Sequence, residues 1–455
     1  MKRRKTKAKP GRKRSSTTGE EKPKAKILRG MQDLLPEKRK RWDYFFGKAN
    51  NLARSYGFER INVPLLEEKW LFKKGTGEAT EALETQIYEF FDKRGRVRVA
   101  LRPEFFPSIT RAYIDHEMFN LAQPVKLYYS GPVFRYEKLE PHRFNQFHLF
   151  GLQIIGSDRP VSDVELILFV DSLFKELNLK INLEINSLGC SRCRSFYRKK
   201  LYNFLKKKKK YLCPLCQKNL EKSPAYVFEC EERECLEIVR QAPQILDSLC
   251  EKCEEYFNKV LEYLDATGVI YHLNPYLIRN FDFYNGPVFE IYSPGTSLKS
   301  AFGKIEEKGE ALKLGSGGRF DRLTGNLGGP TTPACGLSLG VERIIREIEE
   351  EKIKIPERRK AQIFLARISD LATIEALKVK KLLVEHGFGV NDNLKEENLS
   401  SQLESANKLK LKFILIIGHQ EVLDKTIILR DLSTYAQETI NREKIIEEIK
   451  KRLKK

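Results

Sequence analysis

The stretch Leu101–Gly156 (LRPEFFPSITRAYIDHEMFNLAQPVKLYYSGPVFRYEKLEPHRFNQFHLFGLQIIG) constrains the fold more than any other part of the chain. It reads as strand, helix, strand, polar loop, strand. Val125–Glu137 is rich in Val, Tyr and Phe, which suit a pleated surface. Lys138–Arg143 breaks that pattern with charge and Pro141, and Phe147–Ile155 resumes it. Two antiparallel strands joined by such a loop put Arg135 and Glu137 on one face, because alternate residues share a face. Arg102 and Glu104 repeat the spacing on an expected earlier strand. A strand floor with paired guanidinium and carboxylate groups suits a ligand bearing both phosphate and amine. Arginine grips phosphate oxygens through two hydrogen bonds, and glutamate accepts from an amine. The competing reading is a surface hairpin with solvated charges.

At 455 residues, two to four domains with a large core are expected. No apolar run approaches the roughly 18–20 residues that cross a bilayer; the best, Phe413–Gly418, is strand-length. The basic N-terminus leads into no apolar core, so no secretory signal is expected and the chain is assigned to the cytoplasm. Net charge is +21 with a pI near 9.4, which favours a polyanionic partner such as nucleic acid. Met1–Lys26 carries 12 basic residues against Glu20 and Glu21, so it is expected to be a disordered cationic arm.

Pro36–Tyr56 has helical spacing, with Trp42, Phe45, Phe46, Ala49, Leu52 and Tyr56 on one stripe. That stripe fits either a second subunit or packing within the chain. Phe58–Leu66 reads as a strand ended by Pro64. Pro160–Leu177 reads as a helix with Val164, Leu166, Phe169, Leu173 and Leu177 inward, and Lys180–Ile185 as a strand.

Eight of the nine cysteines fall in Asn186–Cys253, as Cys190/Cys193, Cys213/Cys216, Cys230/Cys235 and Cys250/Cys253. Thiolates at such spacing share a tetrahedral cation. Disulfides are the rival, but they do not persist in a reducing compartment. Two structural zinc sites are expected. The ends of an inserted module must lie close together, so a nested pairing is expected. Cys190, Cys193, Cys250 and Cys253 staple the base, and Cys213, Cys216, Cys230 and Cys235 form an outer ribbon. Sequential pairing is the alternative. Cys335, in an apolar strand, reads as a core filler. Lys206–Lys210 is a basic patch on this module, fit for an RNA backbone or a solvated helix end.

Asn274–Tyr292 brings Arg279, Asp282 and Tyr284 together before a strand. Gly315–Asp321 reads as a glycine-rich turn, with no GK[ST] to make a P-loop. Pro333–Gly340 reads as a strand and Val341–Glu351 as a helix, with Arg343 at its start. Ala361–Lys455 alternates strands and helices as a small α/β domain without a catalytic cluster.

These pieces in this order resemble the histidyl-tRNA synthetases, class II aminoacyl-tRNA synthetases, from about Leu28 to the C-terminus. RGMQDLLP, the helix–strand–Pro64 segment, LRPE, FRYE, QFH, IRNFDFY, GGRFD and GLSLGVER carry the resemblance. It implies an α+β fold: an antiparallel catalytic sheet flanked by helices, here with the cysteine-rich helical insert, and a C-terminal α/β anticodon-binding domain. The implied bounds are a basic tail at 1–26, a catalytic core at 27–186 and 269–351, the insert at 187–268, a linker at 352–360 and the last domain at 361–455. It further implies a homodimer that joins histidine to ATP with Mg²⁺, then passes the histidyl group to tRNA(His).

By similarity, Arg135 holds the α-phosphate, Glu137 the adenine edge, and Arg343 the adenine face and outer phosphates. Arg279 meets the α-phosphate and the substrate carboxylate, Glu104 the α-amine, and Tyr284 the imidazole. Arg135, Arg279 and Arg343 are the catalytic set. The amino-acid pocket departs from the family. Phe106 stands for Thr, Leu149 for Gln, Gln153 for Glu, Asn280 for Gly and Phe283 for Tyr, and Glu137–Glu140 reads EKLE for ERPQ. The resemblance thus leaves two other readings: a paralogue that binds tRNA or senses histidine or nucleotide without catalysis, and a ligase for another amino acid.

Overall fold

The computed structural model describes residues 25–76, 86–136, 144–230, 232–278, 283–294, 311–356, 362–395 and 398–453. The basic arm lies outside them apart from its last two residues. The chain divides into two compact units, Met1–Ile353 and Lys354–Lys455.

In the first unit, α1 (Pro36–Ser55) starts on a proline, which needs no helical N–H donor there. It buries Trp42, Phe45, Ala49 and Ala53. This stripe packs within the chain: Phe45 meets Phe150 at 6.1 Å, and Tyr56 Oη donates to the Leu168 carbonyl at 3.3 Å. The expected strand Phe58–Leu66 is split into β1 (Glu59–Arg60) and β2 (Leu66–Glu68). Pro64, which has no N–H, cannot continue a ladder between them. After α2 (Lys69–Thr76), strands β3 (Glu89–Phe91) and β4 (Arg98–Leu101) join β2 in a small sheet. Strand β4 ends at Leu101, so Arg102 and Glu104 are not on it, contrary to expectation; Pro103 stops the ladder. Helix α3 (Phe106–Asp115) follows.

The main sheet begins with β5 (Val125–Phe134) and β6 (Gln146–Ile155). Then come α4 (Pro160–Glu176), β7 (Asn182–Ser187), and the cysteine-rich insert of α5 (Ser191–Lys207), α6 (Pro214–Asn219), α7 (Arg233–Val239) and α8 (Glu251–Ala266). Among the described residues the insert has no strand. Its outer part is short helices rather than the expected ribbon, because Cys213 caps α6 and Cys235 sits inside α7. The unit closes with β8 (His272–Leu273), β9 (Asn285–Tyr292), β10 (Lys313–Arg319), α9 (Leu323–Asn326), β11 (Ala334–Gly340) and α10 (Val341–Glu350).

The eight strands run in the order β1-β5-β6-β11-β10-β9-β7-β8, antiparallel except for β1/β5 and β7/β8. One face is dry: Phe150 packs on Phe45 and stacks on Phe169 of α4 at 6.1 Å. Each such ring contributes about 1.5–3 kcal/mol by leaving water. The expected turn at Gly315–Asp321 is instead the central strand β10. A Cβ at Gly317 would lie 2.3 Å from the Phe289 ring, so glycine here admits an aromatic neighbour rather than bending the chain.

The second unit contains β12 (Ile363–Arg367), α11 (Asp370–Glu385), β13 (Val390–Asp392), α12 (Leu399–Lys408), β14 (Phe413–Ile417), α13 (His419–Leu423), β15 (Thr426–Asp431), β16 (Gln437–Asn441) and α14 (Ile445–Leu453). Its sheet runs β13-β12-β14-β15-β16. Central β14 feeds a core on each face: Phe413, Leu415 and Ile417 on one, Ile414 and Ile416 on the other. Ser369 caps α11 by accepting from Ala372 N at 3.1 Å.

Candidate active site and cysteine clusters

The second face of the main sheet forms a floor whose rows follow from the register. Leu127, Gln153 and Gly336 share one row, Tyr129, Gly151 and Ser338 the next, and Gly131, Leu149 and Gly340 the third. Tyr129 lies across Gly151 with its Oη 2.7 Å from Ser338 Oγ and 3.2 Å from the Leu337 carbonyl. Its ring stacks on Phe105 at 4.4 Å. Burial raises its phenol above the usual range, so it stays a neutral hydroxyl. Sequence reasoning missed Tyr129 because it weighed charged residues. The usable signal was the alternation Leu127, Tyr129, Gly131.

Gln153 is fully buried, and neither Oε1 nor Nε2 has a hydrogen-bond partner among the described residues. An unsatisfied buried amide costs about 1–3 kcal/mol, and such a group calls for an explanation. A ligand or an ordered water with a donor and an acceptor would supply it.

Beside this floor stands an aromatic wall. Phe106 lies 4.8 Å from Phe320, 6.3 Å from Phe283 and 6.5 Å from Tyr284. Leu149 belongs to the same buried cluster. Glu104 and Tyr284 both act electrostatically on Tyr129, and Glu104 is buried at 8% exposure. The structure therefore brings Glu104, Phe106, Leu149, Gln153, Phe283 and Tyr284 to one region.

Arg135 and Arg343 mark the end of the sheet where β5 and β11 finish and β6 begins. Arg135 Nε donates to the Pro103 carbonyl at 3.0 Å, and its guanidinium lies 5.3 Å from the Phe147 ring. Arg343, in the first turn of α10, donates from Nη1 to the Lys313 carbonyl at 2.7 Å. Its neighbour Glu342 accepts from His148 N through both oxygens, at 3.0 and 2.9 Å. The histidine of QFH thus pins the start of α10 to β6. Glu137 and Arg279, with Asn280, lie outside the described residues. Arg102 is held by backbone carbonyls through Nε and Nη1, with Nη2 beside Gly131 of the floor. Its Nε donates to Pro132 O, and its Nη1 to Val63 O and Pro64 O. Burial lowers its pKa to about 10, which leaves it charged at neutral pH.

The cysteines gather in the nested sets: Cys190, Cys193, Cys250 and Cys253, and Cys213, Cys216, Cys230 and Cys235, each with all sulfurs within 4.8 Å of one another. Sγ separations include Cys190–Cys193 at 3.6 Å, Cys190–Cys250 at 4.0 Å and Cys213–Cys230 at 3.7 Å. Disulfide sulfurs sit about 2.05 Å apart. Four bonds of about 2.3 Å to a tetrahedral ion give edges of about 3.8 Å. Backbone N–H groups donate to the sulfurs, as Cys250 N to Cys193 Sγ at 3.1 Å and Cys213 N to Cys235 Sγ at 3.2 Å. Cys335 is buried in β11. On the insert, Lys206, Lys208 and Lys210 each lie over an aromatic ring at 4.9–5.7 Å.

A family model described as "Histidyl-tRNA synthetase" matches residues 30–344, and one described as "Anticodon binding domain" matches residues 362–452. "Histidine--tRNA ligase" of Clostridium perfringens is 34% identical over 407 residues, covering 89% of this chain and 94% of that protein. The protein of the same name from Desulfitobacterium hafniense is 36% identical over 405 residues, covering 89% and 92%. The apo structure of S. aureus histidyl-tRNA synthetase superposes with a TM-score of 0.75 at 30% identity, covering 93% of this chain and 99% of that one. With its motifs in order on the matching sheet, the chain belongs to the histidyl-tRNA synthetase family.

Proposed function

We propose that this chain is a histidine–tRNA ligase of the cytoplasm, acting on histidine, Mg²⁺-ATP and tRNA(His). The observation that carries the choice of amino acid is the buried amide of Gln153, which has no hydrogen-bond partner among the described residues. Neutral imidazole has one N–H donor and one nitrogen acceptor on diverging axes, and the amide can meet one of them, accepting at Oε1 from the N–H or donating from Nε2 to the bare nitrogen. In this reading the histidine carboxylate attacks the α-phosphorus of ATP and pyrophosphate leaves. Arg135 and Arg279 neutralise charge at the α-phosphate, and Arg343 at the leaving pyrophosphate. No general base is needed, because a carboxylate is ionised at neutral pH. Position and charge lower the barrier. Glu104 accepts from the α-amine, and Glu137 meets adenine. The terminal adenosine hydroxyl of tRNA then attacks the adenylate carbonyl and AMP leaves. Residues 362–452 read the anticodon, and the net positive charge favours the RNA.

Histidine-dependent exchange of labelled pyrophosphate into ATP tests the reading; no exchange at saturating histidine refutes it. Phe106 and Leu149 favour a second reading, a non-catalytic paralogue, because both are buried apolar groups where the family has polar ones. Exchange with a different amino acid alone would instead identify a ligase of other specificity.

The Gln153 assignment predicts a pH dependence. Histidine's side chain titrates near 6.5. Below that it becomes imidazolium, a cation that the neutral Gln153 amide in a buried site cannot pair. KM for histidine is therefore expected to rise up to about tenfold per pH unit below about 6.5. Gln153→Glu should reverse this and lower KM at pH 6 by about tenfold, the worth of a charge-assisted bond. A KM flat from pH 5.5 to 8 in both proteins would contradict the assignment.

The sulfur geometry supports one Zn²⁺ in each cysteine set. Metal analysis of the purified chain should approach two equivalents, and substitution in one set should remove one. Oxidised cysteines without metal would contradict this.

The homodimer is part of the proposal. Trp70, Phe90 and Phe91 stand 46–55% exposed around the small sheet, a surface suited to a second copy. Among the described residues, no helix is long and apolar enough to cross a membrane.

A further inference from the structure

The base cysteine set stands beside the segment that carries the amino-acid contacts. Cys190 directly precedes α5 and Cys250 directly precedes α8, so the ends of the insert meet at this set. The residues leading into Cys190 hold Leu277 on one side and Gly286 on the other. Upstream, the fully buried Asn186 donates from Nδ2 to the Leu277 carbonyl at 3.0 Å. Downstream, Leu188 N donates to Gly286 O at 2.8 Å and Gly286 N donates to Gly189 O at 3.1 Å. Tyr284 lies two residues before Gly286.

Gly189 is the joint. Its φ is +59°, and a Cβ there would lie 2.6 Å from Cys193 Cβ and 2.8 Å from Leu249. The backbone that meets Gly286 is thus pressed directly on the cysteine set, with no side chain between them.

A second tie runs from the exit helix. Tyr256 of α8 donates to Asp163 Oδ2 at 2.7 Å. Arg319 joins Asp163 and Asp321, at 2.8 and 3.0 Å. Asn285 donates to Asp321 Oδ2 at 2.6 Å and accepts from Asp321 N at 2.9 Å. Entrance and exit of the insert therefore converge on Asn285–Gly286. The outer set meets the site by packing: Cys216 and Cys235 lie in the buried cluster that holds Leu277, Phe283 and Tyr284, while among the described residues the hydrogen bonds of its sulfurs run among its own members.

We propose that a thiophilic divalent cation, zinc, in the base set positions the Tyr284 segment and so sets the affinity for the amino acid, without touching substrate. This rests on the ligase reading above. Asn186 and Gly189 are positioning residues, and the base set is a metal-dependent control acting chiefly on the amino acid. Adenine and the outer phosphates are assigned to Glu137 and Arg343, and only Arg279 of this stretch is assigned to the α-phosphate, so KM for ATP is expected to change much less than KM for histidine.

The experiment uses the full-length, zinc-loaded chain. It compares Cys253→Ser (base), Cys230→Ser (outer) and Asn186→Ala, which keeps all eight cysteines. Metal content, KM for histidine and for ATP in pyrophosphate exchange, and labelled-histidine binding by equilibrium dialysis are measured. Cys253→Ser is expected to lose one zinc and raise KM and Kd for histidine about tenfold, with KM for ATP within twofold, the usual scale of coupling between sites. Asn186→Ala should raise both histidine constants similarly while keeping both zinc ions. Equal histidine effects from Cys253→Ser and Cys230→Ser, or parallel loss for both substrates, overturn the proposal. If Cys253→Ser is insoluble, unchanged histidine affinity in Asn186→Ala overturns it alone. A wild-type chain that neither exchanges nor binds histidine defeats the functional reading itself, which is told apart by the unmodified protein.

Discussion

Arg135→Ala is expected to lower kcat for histidine-dependent pyrophosphate exchange by about 10²–10³-fold, the cost of losing one preorganised charge donor. The side chain is fixed before any ligand arrives. Its Nε is bound to the Pro103 carbonyl and its plane lies by the Phe147 ring. Orienting it therefore costs little at the moment of reaction. Arg135→Lys should recover little, because an ammonium cannot match a planar two-bond grip. KM for histidine should change much less than kcat if Arg135 acts mainly on charge developing at the α-phosphate. Arg343→Ala should behave similarly but with a larger share in KM for ATP, because the resemblance puts it on the nucleotide's adenine and outer phosphates. Exchange kinetics at varied ATP separate the two. A loss under threefold at Arg135 would remove it from the catalytic set.

Asp163→Ala carries the largest expected stability effect, about 3–5 kcal/mol, the range for a buried ion pair left with one partner. Asp163 and Arg319 side chains are 1% and 4% exposed. Removal of the carboxylate strands a guanidinium in the core and releases Tyr256 as well. Arg319 keeps the Ser157 carbonyl and the Asp321 carboxylate at 3.0 Å, but the Asp321 side chain is 32% exposed and offsets the loss only in part. Asp163→Leu combined with Arg319→Met should recover most of the loss, since an apolar pair of similar volume avoids the buried charge. Urea unfolding of the three variants measures this. A cost below about 1 kcal/mol for Asp163→Ala would show that water reaches the site.

Much of this was legible in the chain because strong signals coincided. The α1 stripe and the unbroken apolar run Phe413–Ile417 could bury themselves in few ways, and each became the expected element. The nested cysteine pairing followed from one geometric demand, that an insert begin and end at the same place. The failures have physical causes too. The glycines of β10 read as a turn because their role, making room for Phe289, depends on a strand distant in sequence. Strand β16, Gln437–Asn441, has one buried side chain, Ile440, so no alternation announced it. Arg102 resembled a ligand group by type and spacing. Only the fold shows its Nε and Nη1 turned to the carbonyls of Val63, Pro64 and Pro132. Tyr129 was hidden for the opposite reason, since a tyrosine in an apolar strand looks like core until its hydroxyl is seen to reach Ser338.

The most direct test of the central claim is the complete reaction. Full-length protein, Mg²⁺-ATP and tRNA(His) are incubated with each labelled amino acid in turn, and acid-precipitable counts are measured. Histidine alone should charge, to a plateau near one per tRNA, and Arg135→Ala should abolish it on the same timescale. Charging by another amino acid, or none with histidine while the protein remains folded and zinc-loaded, would contradict the account.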